Sequence, residues 1–266
     1  MKKMSAIIAS LCVLSAAAAM AADPVYSVNA VGYVNVTVPA SNKFVMVGLS
    51  FDSVTGATER TVLDVLGANS GLRKSQNPAR VDKVYLWDVS TQLYLVLGMK
   101  TNGLFYKWDA FGGNPTNPVI PRGYGVFIQS PTGGNGGTND TTVTLTGQVP
   151  SALTNTLDIA GAVPVAPYQL ICNPYPVSVR LDDLVNTNHG AKGSSSPANC
   201  DRVFIWDTAV QQYVTLGLRT PSNMWAVWSP WTPASYPNYT IEPGSGFWYV
   251  GKTNFTWKVG KAYVWP

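Results

Sequence analysis

Hydrophobic and polar positions alternate in short bursts along this chain. Val84–Trp87 and Leu93–Leu97 are runs of β-branched and aromatic residues separated by the polar turn Asp88-Val89-Ser90-Thr91-Gln92, and together they predict a hairpin. Both runs are apolar on both faces, which predicts strands inside a sandwich or barrel. Phe44–Leu49 and Tyr168–Cys172 predict earlier core strands, and Val126–Ile128 and Phe247–Val250 predict strands that follow Gly-x-Gly turns. In Tyr26–Val38, residues Val28, Ala30, Gly32, Val34, Val36 and Val38 fall on one face. That pattern predicts one long strand, or two strands broken at Gly32. It is either the first strand of the fold or a strand donated to a neighbouring subunit, which would make the N-terminal strand a route to self-association. Apolar residues three and four apart predict short helices at Thr61–Leu66 and Leu181–Val185. Pro131–Asp140, rich in Gly and Asn, reads as a flexible loop.

The pattern occurs twice. Asp82-Lys83-Val84-Tyr85-Leu86-Trp87-Asp88 reappears as Asp201-Arg202-Val203-Phe204-Ile205-Trp206-Asp207, an offset of 119 residues. Tyr94–Thr101 matches Tyr213–Thr220 at the same offset, and Gly123-Tyr124-Gly125-Val126-Phe127 matches Gly244-Ser245-Gly246-Phe247-Trp248 at an offset of 121. This predicts two copies of one unit of about 120 residues. The expected fold class is all-β: two tandem homologous β-sandwich or barrel-like domains with at most short helices, residues 23–150 and 151–266.

A different segment precedes them. Lys2 and Lys3 are followed by an apolar run from Ala6 to Met20, then by small residues around Met20 and by Asp23-Pro24. This reads as a signal peptide over residues 1–22, too short to be a comfortable membrane anchor. Leu11 before Cys12 argues against lipidation, and no later run is long enough to be a transmembrane segment. The expected location is therefore periplasm, outer surface or extracellular medium. Removing the two lysines lowers the net charge from +4 to +2, too weak a field for a nucleic-acid partner. Charged residues make up 12 % of the chain against a usual ~25 %, while 24 glycines, 19 prolines and nine tryptophans argue against disorder and coiled coils.

Three elements carry a family likeness: Val31-Gly32-Tyr33-Val34-Asn35-Val36-Thr37-Val38-Pro39, Val84-Tyr85-Leu86-Trp87-Asp88, and Gly123-Tyr124-Gly125-Val126-Phe127. With the signal sequence, they resemble paralogous families of secreted β proteins from Verrucomicrobia-related bacteria. Pro243-Gly244-Ser245-Gly246-Phe247-Trp248 is closest to the last family element, whereas Arg122 replaces its proline in the first copy. The resemblance implies a bacterial exported β protein and brings no catalytic residues.

The chain offers little for catalysis. His189, the only histidine, sits in a polar segment that reads as an exposed loop, without a Gly-x-Ser-x-Gly elbow. One histidine and two mature-chain cysteines do not make a tetrahedral zinc site, so neither metal nor cofactor is expected. The repeated Asp82/Asp201 and Asp88/Asp207 flank hairpin strands, where aspartate usually accepts turn N–H bonds. The expected function is structural or adhesive, without enzymatic activity; an atypical hydrolase is the remote alternative. The other alternative is carbohydrate binding. Seven of the nine tryptophans lie at or after Trp206. Trp87/Trp206, Trp108/Trp228 and Phe111/Trp231 pair between copies and look architectural, and Trp228 is expected in the core. Tyr236, Tyr239 and Trp265 have no aromatic match; with Trp231 in the same proline-rich stretch, they are the candidates for stacking on a glycan. Cys172 and Cys200 are candidates for a disulfide closing a loop of about 29 residues, worth roughly 3–4 kcal/mol.

Overall fold

The computed structural model describes residues 30–54, 60–67, 69–161, 167–229, 231–232, 237, 239–261 and 263. The predicted signal peptide lies outside the described residues. The protein is all-β. The strands are β1 (Val31–Val38), β2 (Phe44–Gly48), β3 (Lys83–Asp88), β4 (Leu93–Met99), β5 (Phe105–Lys107), β6 (Gly125–Gln129), β7 (Thr141–Gln148), β8 (Thr154–Ile159), β9 (Tyr168–Cys172), β10 (Val179–Arg180), β11 (Arg202–Asp207), β12 (Gln212–Arg219), β13 (Met224–Val227), β14 (Thr240–Ile241), β15 (Gly246–Val250) and β16 (Phe255–Gly260). Two single-turn helices, α1 (Val62–Val65) and α2 (Leu181–Leu184), fall where apolar spacing predicts them. Thr61 caps α1 through a reciprocal bond pair with Asp64.

Two antiparallel sheets dominate. One runs β2-β6-β3-β4-β5 and the other β9-β15-β11-β12-β13, so the strand order is the same in each. The ribbons β1–β7, β8–β16 and β10–β14 complete the fold. Residues Val31–Pro266 cluster as a single unit.

Each central hairpin closes on an aspartate and a glutamine. Asp88 accepts the Ser90 N–H at 2.8 Å, and the Gln92 N–H returns to the Asp88 carbonyl at 2.8 Å. Asp207 and Gln211 repeat this turn, with the Ala209 N–H at 2.9 Å. Both glutamines sit at positive φ, 55° and 56°, a conformation unusual for a long side chain. Bonds from their side chains across the junction offset that strain, as described below.

The sheets meet along β2 and β9. The Gly48 N–H donates to the Gly244 carbonyl, and the Cys172 N–H to the Gly123 carbonyl, both at 2.8 Å. Approach is so close that a Cβ on Gly48 would lie 2.4 Å from the Ser245 carbonyl oxygen. Gly123 and Gly244 take the left-handed conformation, φ 88° and 79°, that turns the chain into β6 and β15.

Three expectations need correction. The hairpin strands are not buried on both faces: Leu93 in β4 is 65 % exposed, and Tyr94 and Tyr213 are only partly covered. Trp228 is not the core tryptophan. It lies half-buried just past β13, 6.1 Å from Trp231, while Trp225 within β13 is 1 % exposed. Three residues along a strand reverse the face, and the strand turns Trp225 inward.

No disulfide forms either. Cys172 and Cys200 are both buried free thiols. β15 lies between β9 and β11; Cys172 pairs with Gly246 at one end of β15, whereas Cys200 precedes Arg202, which pairs with Val250 at the other. A separation of two strands sideways and four residues lengthwise far exceeds the ~7 Å Cα limit for a bridge. The Sγ atoms instead lie 3.4 Å from the Tyr124 carbonyl and 3.3 Å from the Pro197 carbonyl. Burial pushes each thiol pKa up to about 11.

Buried polar groups tie loops to the sheets. Asp201 accepts the Tyr249 hydroxyl at 2.6 Å and the backbone N–H groups of Lys192 and Lys252 at 2.7 and 2.6 Å. Asp82 instead pairs with Arg73 at 2.7 Å. Arg60 holds the carbonyls of Leu49, Phe51, Ile120 and Pro121, and burial lowers its pKa to about 10.

Candidate functional site

The hairpin tips bring aromatic residues from both sheets to one place. At each tip a tryptophan packs edge-on against a tyrosine opposite it on the next strand: Trp87 on Tyr94 and Trp206 on Tyr213, both with centroids 4.7 Å apart. Each indole then reaches the other sheet. Trp87 Nε1 donates to the Tyr168 carbonyl at 2.6 Å, and Trp206 Nε1 donates to the Phe44 carbonyl at 3.0 Å. The glutamines act in parallel. Gln92 accepts the Tyr168 N–H at 2.9 Å and donates to its carbonyl at 3.2 Å; Gln211 accepts the Phe44 N–H at 2.7 Å and donates to its carbonyl at 3.0 Å. Each hairpin therefore clamps the first residue of the opposite edge strand.

Between the hairpins lies a cleft of about 290 Å³, walled by Phe44, Tyr85, Tyr94, Phe127, Trp206 and Tyr213. These residues come from β2, β3, β4, β6, β11 and β12. Tyr94 and Tyr213 remain 41 % and 43 % exposed, so aromatic surface in the cleft wall faces solvent. Burial raises the phenol pKa values of Tyr85, Tyr94 and Tyr213, keeping these hydroxyls protonated at neutral pH. The Tyr85 hydroxyl donates to Gln129 Oε1 at 2.5 Å, and the Tyr213 oxygen accepts the Trp248 indole N–H at 3.0 Å. Among the described residues no hydrogen bond engages the Tyr94 hydroxyl. The walls offer ring faces for stacking and two phenol protons, those of Tyr94 and Tyr213, for acceptors on a ligand. They include no carboxylate, imidazole or thiol.

Of the residues expected to bind glycans, Trp231 and Tyr239 sit elsewhere. Trp231 Nε1 donates to the Ser195 carbonyl at 2.9 Å, and its ring covers Gly217, where a Cβ would approach to 2.7 Å. The Arg219 guanidinium stacks on it, 5.7 Å from a ring centroid. Tyr239 packs against the core, and its carbonyl accepts the Leu181 N–H at 2.8 Å. Both therefore make structural contacts. Tyr236 and Trp265 lie outside the described residues. His189 is half-buried rather than exposed: its Nδ1 accepts the Asn186 N–H at 3.2 Å and caps a short 3₁₀ turn. Among the described residues, no three His, Cys, Asp or Glu side chains gather as a metal site. Among the described residues no helix is long and apolar enough to cross a membrane.

The cleft residues missed by sequence reasoning include Tyr94 and Tyr213, which match between the two halves. The cleft is built where matched positions from both halves converge. Compared with family models, curated proteins and solved structures, the chain matches none.

Proposed function

We propose that this chain is an exported, non-enzymatic adhesive protein of the bacterial cell surface or periplasm, with the aromatic cleft as its contact surface. The observation that carries this reading is the partly exposed aromatic surface of Tyr94 and Tyr213 in the wall of a 290 Å³ opening. Soluble proteins seldom leave clustered aromatic surface open without a partner. Two readily protonated hydroxyls beside apolar walls suit a ligand with one apolar face and a few acceptors. The pyranose face of a glycan has that character, which keeps carbohydrate binding as the second reading and moves it from Tyr236, Tyr239, Trp231 and Trp265 to the cleft.

The test is retention of the mature chain on isolated bacterial envelopes and on a glycan array, beside a Tyr94→Ala/Tyr213→Ala variant. Wild type should be retained and the variant should lose at least about tenfold in affinity, as expected for loss of 1.4 kcal/mol or more of stacking. Its melting temperature should change by only a few degrees. Array hits select the carbohydrate reading; envelope binding without array hits selects a protein ligand. Equal retention of the variant, or release of cleaved products, would reject the proposal.

A further inference from the structure

Positions 124 and 245 occupy equivalent turns but carry very different side chains. The Tyr124 N–H donates to the Pro121 carbonyl at 3.3 Å and the Ser245 N–H to the Glu242 carbonyl at 3.0 Å. Each follows a left-handed glycine, and each bridges the edge strand of the opposite sheet: Tyr124 pairs with Ile171, Ser245 with Val47. The Tyr124 ring is half-buried against both apolar cores. Burial and the nearby Asp158 of β8 raise its phenol pKa. At Ser245 no ring is present, and a groove of about 460 Å³ lies open there, floored by Val36, Met46, Ile205, Trp206 and Ile241.

The groove runs beside β1 at Asn35, Val36 and Thr37. β1 pairs with β7 on one side. On β7, Gln148 exchanges both backbone bonds with Asp52 at 2.9 and 3.0 Å, and the Thr144 N–H donates to Ser70 at 2.7 Å. The residues opposite them, Val31 and Asn35, therefore form non-hydrogen-bonded pairs with β7. By the two-residue period, Val31, Tyr33, Asn35 and Thr37 turn their N–H and C=O groups away from β7. Among the described residues no backbone bond reaches these groups, and Val31 and Tyr33 are 67 % and 71 % exposed.

We propose that this groove docks an extended peptide segment of a partner, which adds a strand to the outer edge of β1 and seats a tyrosine side chain beside Ser245. The open edge supplies main-chain pairing, and the apolar floor supplies side-chain selection, the two components of strand addition. The chain itself identifies the side chain: at the equivalent turn, the group that fills this space is the Tyr124 phenol. The occupant supplies in trans what Tyr124 supplies in cis. This site is separate from the function proposed for the cleft, sharing only Trp206 as wall and floor.

The probe is the blocked peptide Thr-Val-Thr-Tyr-Thr-Val-Thr, with an Ala-for-Tyr control, titrated while backbone amide shifts are followed. Saturable binding should move the amides of Asn35 and Thr37, and the Ala peptide should bind at least about tenfold more weakly. Ser245→Tyr closes the groove from within and should abolish binding without lowering the melting temperature. Thr37→Pro is the second variant: it removes only an outward-facing N–H on an edge strand, which such a strand tolerates. It too should weaken binding, whereas Tyr94→Ala/Tyr213→Ala should not. Three results would overturn the proposal: no saturable binding by wild type, binding indifferent to Ser245→Tyr or to Ala in the peptide, or a sedimenting dimer abolished by Thr37→Pro, which would assign the edge to a second copy.

Discussion

Removing the Trp225 side chain should destabilise this protein more than removing Trp228, three residues further along. Trp225 is 1 % exposed, packs edge-on against Tyr249 at 6.2 Å and donates its indole N–H to the Val185 carbonyl at 2.8 Å. Trp225→Ala loses a large buried ring, at a cost of about 3–5 kcal/mol. It also strips the Val185 carbonyl of its partner, adding about 1–3 kcal/mol. The terms share one site and are not strictly additive, so a total of about 4–6 kcal/mol is expected. For a chain of this size that corresponds to a fall of roughly 10–20 °C in melting temperature. Trp225→Phe keeps a ring and loses the N–H, which isolates the second term at about 1–3 kcal/mol. Trp228→Ala, which removes a half-exposed ring packed on Trp231 and Arg202, should cost about 1–2 kcal/mol. Thermal and urea unfolding followed by circular dichroism would measure all three. A Trp228→Ala loss equal to or above that of Trp225→Ala would refute the assignment of the core face of β13.

Further outcomes follow from the junction, the thiols and the buried carboxylates. Gln92→Ala or Gln211→Ala removes two bonds across the sheet junction and strips the Tyr168 or Phe44 N–H of its partner, while the carbonyl keeps its tryptophan, so each should lower stability by about 1–3 kcal/mol in urea titrations. Thiol titration of the mature chain, unfolded without reductant, should find both Cys172 and Cys200 free; in the folded state at neutral pH they should react slowly, because thiolates are scarce at a pKa of about 11. Burial raises the pKa of Asp82 and Asp201 above 3.8. Between that value and the raised folded one the native state binds more protons, so these groups make stability rise as pH falls. Asp201→Asn should diminish this rise when urea midpoints are compared between neutral pH and the onset of acid unfolding. Intact mass of exported protein should place the mature N-terminus at Ala22 or Asp23.

Local features were the legible ones. Runs of β-branched and aromatic residues around Asp88 and Asp207 mark the hairpins because turn chemistry acts within five residues. The helices at Val62 and Leu181 follow from apolar spacing alone. The cleft was not legible, since Phe44, Tyr85, Tyr94, Phe127, Trp206 and Tyr213 meet only when two hairpins from distant parts of the chain pack together. Apolar character on both faces of Leu93–Leu97 was read as burial; at the tip it is the surface of the cleft. The fate of Cys172 and Cys200 depends on which end of β15 each lies near, a register that periodicity does not encode. The contrast between Tyr124 and Ser245 was visible in the aligned repeats. Its meaning came only with the groove that the smaller residue leaves.

The most direct test of the cleft as contact surface is hydrogen–deuterium exchange of the mature chain, free and bound to isolated envelopes. The account predicts added protection at the hairpin tips around Gln92–Tyr94 and Gln211–Tyr213, and at Phe44 and Tyr168, where the edge strands are clamped. Binding that leaves these amides unchanged while protecting another surface would contradict it.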